Sequence, residues 1–206
     1  MPLNWGDWNS DTAAKSDIEV QGDTVTLAED YITSFEADLS NFAGDTGSFE
    51  TTSNQAYDRS KSLGKTADGR HDAVWLSSDQ WSAGDSVTLT SHVYTGSDLI
   101  RGGPTLVRAS DGYGYVAYVD PNNALTIATV TPTFNSPINN NDTLPTTSDG
   151  WYKLEFSHDG VDQLTATIYD YSGSDYSVTA TDGSYSPTTV GADAYDVGWY
   201  ADYYHT

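Results

Sequence analysis

Short segments in which apolar and polar residues alternate recur along the chain, and this pattern constrains the fold more than any other. The apolar residues of segment 86–93 fall at 87, 89 and 93, and those of segment 163–169 fall at 164, 166 and 168. Alternation with a period of two is typical of half-buried antiparallel strands. Segments of this kind predict strands at 49–52, 73–77, 86–94, 105–108, 113–119, 125–130, 151–157, 164–169, 176–181 and 197–200.

Turn signals fill the gaps between the predicted strands. Asp-Gly pairs, which favour tight turns, occur at 68–69, 111–112, 149–150, 159–160 and 182–183. No long helical period is present along the chain. Regularly spaced strands with turns between them therefore predict an all-β fold in which two antiparallel sheets form a sandwich.

One long polar stretch, residues 132–147, interrupts this pattern and is rich in Asn and Pro. Its length and composition are typical of a loop, and long loops in small domains are often functional. Within it, Asn141-Asp142-Thr143 matches the acceptor pattern for N-glycosylation. We therefore predict a surface loop over these residues.

The first 32 residues differ from the rest of the chain. Trp5 and Trp8 stand three residues apart and precede a polar run over 9–17. We predict a docking arm over residues 1–32, with Trp5 and Trp8 as its assembly anchor, and a β-domain over residues 33–206. The alternative is an arm that folds back on its own domain. The N-terminus lacks the basic and apolar regions of a signal peptide, so no signal peptide is expected.

Several phrases share an order that points to one fold family. They are SFEADLSNF at 34–42, GDTGSFE at 44–50, AYDRSKSL at 56–63, GYGY at 112–115, DGWYKLEF at 149–156 and LTATIYD at 164–170. Their order and spacing resemble concanavalin A-like (laminin G-like) jelly-roll domains over roughly residues 33–204. The resemblance implies a two-sheet antiparallel jelly roll, a fold often used to bind glycans or proteins. It does not name a ligand, because one fold hosts many functions.

Aromatic residues are the main candidates for ligand contacts. Fifteen tyrosines and six tryptophans exceed what the core of one sandwich needs, and sugars stack on flat rings through their apolar C–H faces. Trp75, Trp151 and Trp199 are expected in the core, and an interface between subunits is the other use of surface aromatics. The candidate glycan contacts are Tyr113, Tyr115, Trp199, Tyr200 and Tyr203.

A structural calcium ion is implied by the resemblance. Jelly-roll modules of this type often hold Ca²⁺ between the first phrase and the last strand, and Ca²⁺ takes several oxygen ligands. The corresponding positions here are Glu36 and Asp202, with a backbone carbonyl near Asp38. The other interpretation of these residues is an ordinary acidic surface.

Catalytic patterns are missing from the sequence. Glucanases of this fold carry two glutamates in the pattern E-x-D-x-x-E, which act as acid and nucleophile. Glu36 and Asp38 match its first half, but Asn41 stands in place of the second glutamate. An amide cannot supply a carboxylate, and no H-E-x-x-H pattern for zinc is present. We expect the protein not to be an enzyme.

The charge of the chain indicates its solvent. Thirty acidic residues against eight basic ones give a formal net charge of -22, which causes self-repulsion in dilute buffer. At about 1 M salt the Debye length falls to about 3 Å and screens most of that repulsion. The composition therefore predicts a protein of a salt-rich, halophilic environment. Phosphates would be repelled, so no nucleic acid partner is expected, and no apolar run is long enough for membrane insertion.

These observations together predict a virion structural protein, such as a turret, spike, fibre or decoration. The virus would infect a halophilic, haloarchaeal host, and the protein would act in the virion or extracellularly at high salt. Its expected partners are other virion proteins, copies of itself in a homo-oligomer and a host surface glycan. The alternative is a secreted carbohydrate-binding module outside any virus.

Overall fold

Strands make up almost all of the described part of the chain. The computed structural model describes residues 19–21, 24–26, 39–40, 42–53, 62–65, 72–81, 84–95, 100–108, 113–120, 123–130, 135–141, 144–145, 150–183 and 195–203. Within these residues a single 3-10 turn, Thr46–Ser48, is the only helical element. No helix in these ranges is long and apolar enough to cross a membrane.

Two large sheets and one small one contain the strands. The strands are β1 (Glu19–Gln21), β2 (Thr24–Thr26), β3 (Phe42–Gly44), β4 (Phe49–Thr52), β5 (Ser62–Lys65), β6 (Asp72–Trp81), β7 (Ser86–Thr95), β8 (Ile100–Arg108), β9 (Gly114–Asp120), β10 (Ala124–Val130), β11 (Asn135–Asn141), β12 (Gly150–His158), β13 (Gln163–Tyr171), β14 (Ser174–Thr181) and β15 (Tyr195–Tyr203). The six-stranded sheet has the order β1-β2-β7-β12-β13-β14, and the seven-stranded sheet has the order β11-β10-β9-β8-β15-β6-β3. Strands β4 and β5 pair separately.

The core lies between the two large sheets and confirms the alternation seen in the sequence. Inward residues on both sheets are fully buried, and each large apolar side chain contributes about 1.5–3 kcal/mol through burial. On the six-stranded sheet these residues are Leu89, Leu154, Phe156, Leu164 and Ile168, and on the seven-stranded sheet they are Leu106, Tyr115, Leu125 and Ile127. The predicted two-sheet sandwich is therefore confirmed.

The two large sheets differ in how their outer faces meet solvent. Every residue of β10 is buried, and a second apolar cluster on the outer face of the seven-stranded sheet includes Val107, Val116 and Tyr118. A sheet buried on both faces gives continuous apolar runs instead of alternation. On β12, β13 and β14 of the six-stranded sheet, outward side chains are half-buried or exposed. An accessible surface for a ligand is therefore found on the six-stranded sheet.

The described part of the predicted arm belongs to the six-stranded sheet. Strands β1 and β2 form a hairpin, and β2 pairs with β7 in parallel, with Val25 opposite Val87. This arrangement matches the alternative of an arm folded back on its own domain. Trp5 and Trp8 lie outside the described residues, so their role as an assembly anchor stays a prediction.

The predicted surface loop at 132–147 is wrong in part, because it contains strand β11 at the edge of the seven-stranded sheet. The side-chain amide of Asn139 donates to the carbonyl of Thr179 at 2.5 Å, and that of Asn141 donates to the carbonyl of Ser177 at 3.0 Å. Both acceptors belong to β14, the edge strand of the other sheet. The asparagines therefore close one side of the sandwich. The nitrogen of Asn141, to which an N-linked glycan would be attached, donates one of these two hydrogen bonds.

Gly160→Ala is expected to lower the free energy of unfolding by about 2–3 kcal/mol. Gly160 has a φ of 82°, and a Cβ there would lie 2.5 Å from the carbonyl oxygen of Gly84. Gly173 provides a matched control, because its φ is 81° but nothing lies within 4 Å of its Cβ position. Gly173→Ala should therefore cost only about 1–2 kcal/mol. Urea denaturation in constant molar salt measures both, and equal losses would contradict a tight contact at Gly84.

Candidate functional site

The outer face of the six-stranded sheet carries aromatic and charged side chains at one end. Leu154 of β12 points into the core, so by alternation Trp151, Lys153 and Glu155 point outward. Trp151 lies opposite Tyr94 of β7 in the register of the sheet. Cross-strand neighbours on one face are close enough to interact, so this end of the sheet is a continuous surface.

The aromatic patch consists of Tyr94, Trp151, Lys153, Glu155 and Tyr169. The ring centroids of Tyr94 and Trp151 are 5.5 Å apart at 68°, an edge-to-face contact that aromatic pairs favour. The Lys153 Nζ lies 5.0 Å from the centroid of the Tyr169 ring, within the range of a cation–π interaction. The patch therefore combines an aromatic pair with a third aromatic ring that an ammonium group covers.

Glu155 holds the polar part of the patch together. One of its carboxylate oxygens lies 2.9 Å from Lys153 Nζ, and the other accepts a hydrogen bond from the Tyr169 hydroxyl at 2.5 Å. The Lys153 and Glu155 side chains are 37% and 27% exposed, so the pair adds little to stability. Its effect is to orient three polar groups that solvent and ligands can reach.

Glu155→Gln is expected to lower the pKa of Tyr169 from about 12 towards its ordinary value of 10.0. The hydrogen bond to Glu155 is the main cause of the raised pKa, followed by burial and by the repulsion between carboxylate and phenolate. Because the folded pKa is raised, this contribution to stability is complete below about pH 10 and is lost as pH rises through 12.

The measurement for this prediction is a tyrosine titration by NMR, with the signal assigned through Tyr169→Phe. Glu50→Gln is the control, because Glu50 is an exposed glutamate on β4. The Glu50 variant should leave the titration of Tyr169 unchanged. An unchanged pKa in Glu155→Gln would show that the hydrogen bond does not form.

Ordinary alternation places Tyr169 on this face, because Leu164, Ala166 and Ile168 point into the core. Ile168 and Tyr171 both point into the core although they are three residues apart, and the register of β13 with β14 shifts between them. Asp170 has a φ of 54°, a left-handed conformation that aspartate tolerates better than most residues. The extra residue of this bulge reverses the alternation after Tyr169, so that Tyr171 points inward.

The glycan contacts predicted from the sequence do not form one surface among the described residues. Tyr115 is fully buried in the core, so its prediction as a stacking surface is wrong. Trp199 packs against the same core, whereas Tyr113 is half-buried beside Arg108, whose guanidinium carbon lies 5.9 Å from its ring centroid.

The remaining predicted contacts, Tyr200 and Tyr203, have only their backbones described. Both lie in β15, where Tyr200 pairs with Gly103 and Tyr203 pairs with Ile100 of β8. Their side chains lie outside what the structure describes. Their role as glycan contacts therefore stays a prediction.

Trp151 was expected in the core but lies on the outer face of β12. Alternation in the sequence carries the signal that places it there: Leu154 and Phe156 are the apolar positions of that strand, so residue 151 has the opposite parity. Aromatic size suggested the core, whereas the strand period predicted the surface. The period was the better guide.

The predicted calcium site cannot be assembled from the described residues. Glu36 lies outside them, and Asp202 is described only as a backbone position opposite Arg101. Within the ranges that the structure describes, no group of three histidine, aspartate or glutamate side chains is placed to hold a metal ion. The calcium ion with Glu36 and Asp202 as ligands stays a prediction.

A buried histidine–aspartate pair lies between the two sheets. His158 Nε2 lies 3.1 Å from Asp182 Oδ2, and the two side chains are 0% and 1% exposed. The amide of Gly160 donates to His158 Nδ1 at 2.9 Å, so the proton of the neutral ring is on Nε2 and is donated to Asp182. A substrate has no access to these side chains, so the pair is structural.

Tyr115 of β9 completes this buried network. Its hydroxyl is hydrogen-bonded to the Asp182 carboxylate and accepts the amide of Gly183 at 2.8 Å. Burial first, and the Asp182 charge in addition, hold the pKa of Tyr115 well above its ordinary value. The phenol therefore keeps its proton and remains a donor to Asp182.

Comparison with known proteins identifies the fold. No protein-family model and no curated protein sequence matches the chain. Lectin II from Ulex europaeus aligns over 80% of this chain and 86% of its own, with a TM-score of 0.50 and 12% identity. Galectin-1-L2 from Dario rerio aligns over 60% and 88%, with a TM-score of 0.37 and 11% identity.

A third solved structure, a protein of unknown function from Shewanella oneidensis MR-1, aligns over 81% of this chain and 77% of its own. Its TM-score is 0.41 and its identity is 12%. At these identities a likeness shows the fold alone. The likeness to lectin II and the two-sheet topology confirm the predicted concanavalin A-like jelly roll.

Proposed function

We propose that the protein is a carbohydrate-binding jelly-roll module whose aromatic patch holds a sugar. The observation that carries the proposal is the position of Trp151 and Tyr94 beside the Lys153–Glu155 pair on an accessible sheet face. Binding sites for small ligands combine aromatic surfaces with a few fixed polar groups. The patch has both the aromatic surfaces and the fixed polar groups, at neighbouring positions of the sheet.

The chemistry of each group suits a sugar. The half-exposed ring of Trp151 offers a flat apolar surface to the C–H face of a pyranose, as the rings of amphipathic aromatic residues do. The ammonium of Lys153 donates hydrogen bonds to hydroxyl groups, and the carboxylate of Glu155 accepts them. Because Glu155 already holds Lys153 and Tyr169 in place, little side-chain freedom is lost on binding.

The fold supports this class of function without naming a ligand. One of the structures with a similar fold is a lectin by name, so the sandwich is compatible with sugar binding. One fold hosts many functions, and the argument therefore depends on the aromatic patch.

Trp151→Ala is expected to weaken glycan binding by at least about tenfold, because large aromatic side chains dominate binding energy at such sites. A glycan array in molar salt identifies the ligand, and calorimetry with that sugar measures the loss. Trp151→Phe should retain most of the affinity, since a flat ring remains.

Tyr113→Ala is the matched control, because Tyr113 is a half-buried aromatic residue that directly precedes β9 of the other sheet. It should leave the affinity unchanged. Loss of binding in the Tyr113 variant alone would move the site to the turn between β8 and β9. A folded wild-type protein that binds no sugar on the array would overturn the proposed function.

The virion structural role is a finer proposal within this function. The net charge of -22 supports a halophilic setting, where a virus of a haloarchaeal host or a secreted module could carry such a domain. Mass spectrometry of density-purified particles from the native source tests the viral proposal. Enrichment of the chain with the particles would support it, whereas recovery only in the particle-free medium would favour the secreted module.

A further inference from the structure

Two rows of hydroxyl groups continue the outer face beyond the aromatic patch. The first row consists of outward residues that pair with one another across β7, β12, β13 and β14. The second row consists of the residues in register with Glu155. We call these residues the hydroxyl rows. The first row is Thr88, Ser157, Thr165 and Thr179, and the second is Thr167 and Ser177, with Thr90 buried on the other side of Glu155.

The spacing of a β-sheet sets the size of this face. Neighbouring strands lie about 4.8 Å apart, so the first row spans about 14 Å across the sheet. Successive outward residues on one strand are about 6.7 Å apart, so Ser157 lies about 20 Å along β12 from Trp151. The face is therefore several times larger than one aromatic side chain, and its outward residues on β12, β13 and β14 are half-buried or exposed.

This face is nearly neutral although the chain as a whole is strongly acidic. Among the solvent-facing strand residues described on β7, β12, β13 and β14, only Lys153, Glu155, Asp170 and Asp175 carry charge. Lys153 and Glu155 form an ion pair, and Asp175 accepts a hydrogen bond from the amide of Asp170 at 3.0 Å. A chain with a net charge of -22 thus has one broad surface that carries little charge.

We infer that this face binds an extended, neutral polysaccharide, with one sugar on the aromatic patch and further units over the hydroxyl rows. The inference rests on the proposed function and extends it to a class of ligand. Hydroxyl side chains both donate and accept hydrogen bonds, as the hydroxyl groups of sugars do. Thr167 and Ser177 already bond to each other at 2.8 Å, and each oxygen keeps further capacity for a ligand.

A second copy of this chain fits the face less well than a sugar polymer. The centres of protein interfaces are enriched in apolar and aromatic residues, whereas the hydroxyl rows are polar. Among the residues whose side chains are described, Val161 is the only large hydrophobic one that is exposed, and it lies in the turn between β12 and β13. The low charge of this face also favours an uncharged polymer over an ionic partner.

Calorimetry in molar salt with soluble neutral glucans, mannans and galactans, from disaccharides to octasaccharides, tests the inference. We expect the affinity to increase by about tenfold or more with chain length. The double variant Thr165→Val with Thr179→Val keeps the branched shape and removes two hydroxyl groups. It should lose about tenfold in affinity for the longest chains and bind the disaccharide as the wild type does. Thr51→Val on β4 is the control and should change neither.

The outcomes separate the inference from the proposed function. Affinity that depends on Trp151 but not on chain length would overturn the polysaccharide inference and leave the sugar module intact. No sugar binding at any length would overturn both. Sedimentation that shows a dimer, abolished by the threonine-to-valine double variant, would assign the face to a second copy and also overturn the inference.

Discussion

Asp182→Ala is expected to lower the free energy of unfolding by about 3–5 kcal/mol. The Asp182 side chain is 1% exposed and accepts hydrogen bonds from His158 and Tyr115. Its removal leaves two buried donors without an acceptor, each at a cost of about 1–3 kcal/mol. Tyr115 belongs to the seven-stranded sheet, whereas His158 ends β12 of the six-stranded sheet. The hydrogen bonds of Asp182 therefore link the two sheets, and the Asp182→Ala variant should destabilise that end of the sandwich.

Urea denaturation followed by tryptophan fluorescence measures this loss, and Asp162→Ala is the matched control. Asp162 is an exposed aspartate in the same region, and its replacement should change stability by no more than about 0.5 kcal/mol. Tyr115→Phe keeps the ring in the core and should cost about 1–3 kcal/mol. The double variant of Tyr115 and Asp182 should lose less than the sum of the single losses, because they share one hydrogen bond. Equal stability of the Asp182 and Asp162 variants would contradict the network.

The fold could be predicted because most strands obey a simple period. In β7 and β13 the apolar residues alternate, and this pattern alone predicts which side chains enter the core. Strand β11 escaped prediction because its composition, NSPINNN, is that of a loop. Its stability depends on pairing with β10 and on the hydrogen bonds that the side-chain amides of Asn139 and Asn141 donate to the other sheet. These two hydrogen bonds join residues about 40 positions apart in the sequence, so no local sequence pattern can predict them.

The candidate site was only partly visible in the sequence. The nearby Asp-Gly turn predicts Tyr115 at the surface, yet it lies in the core between the sheets, and described residues on the outer face of the seven-stranded sheet are buried as well. Trp151 could have been placed outward from the parity of Leu154. Tyr169 could have been placed outward in the same way, from the parity of Ile168. The inward position of Tyr171 could not, because the bulge at Asp170 reverses the alternation of β13. The burial of both faces of a sheet and the reversal of alternation at a bulge depend on the tertiary structure. The alternation of residues within one strand therefore cannot predict them.

The thermal midpoint Tm is expected to rise by at least about 10 °C when KCl is raised from 10 mM to 2 M. The chain carries a net charge of -22, and at 0.01 M salt the Debye length is about 30 Å, so acids across the whole domain repel one another. At about 1 M the length is about 3 Å, and only adjacent charges interact. For a chain of this size 10 °C corresponds to about 3–5 kcal/mol.

Screening must be separated from the general effect of salts on apolar burial, and sucrose of equal osmolality is the control for this purpose. Sucrose strengthens burial without screening charge, so it should recover less than half of the increase in Tm. The cost of Asp182→Ala should be similar at low and high salt, because buried groups are screened much less than exposed ones. A Tm that does not depend on KCl would show that the acidic surface is not adapted to brine. It would also remove the main argument for a halophilic source, while leaving the aromatic patch and the hydroxyl rows as they are.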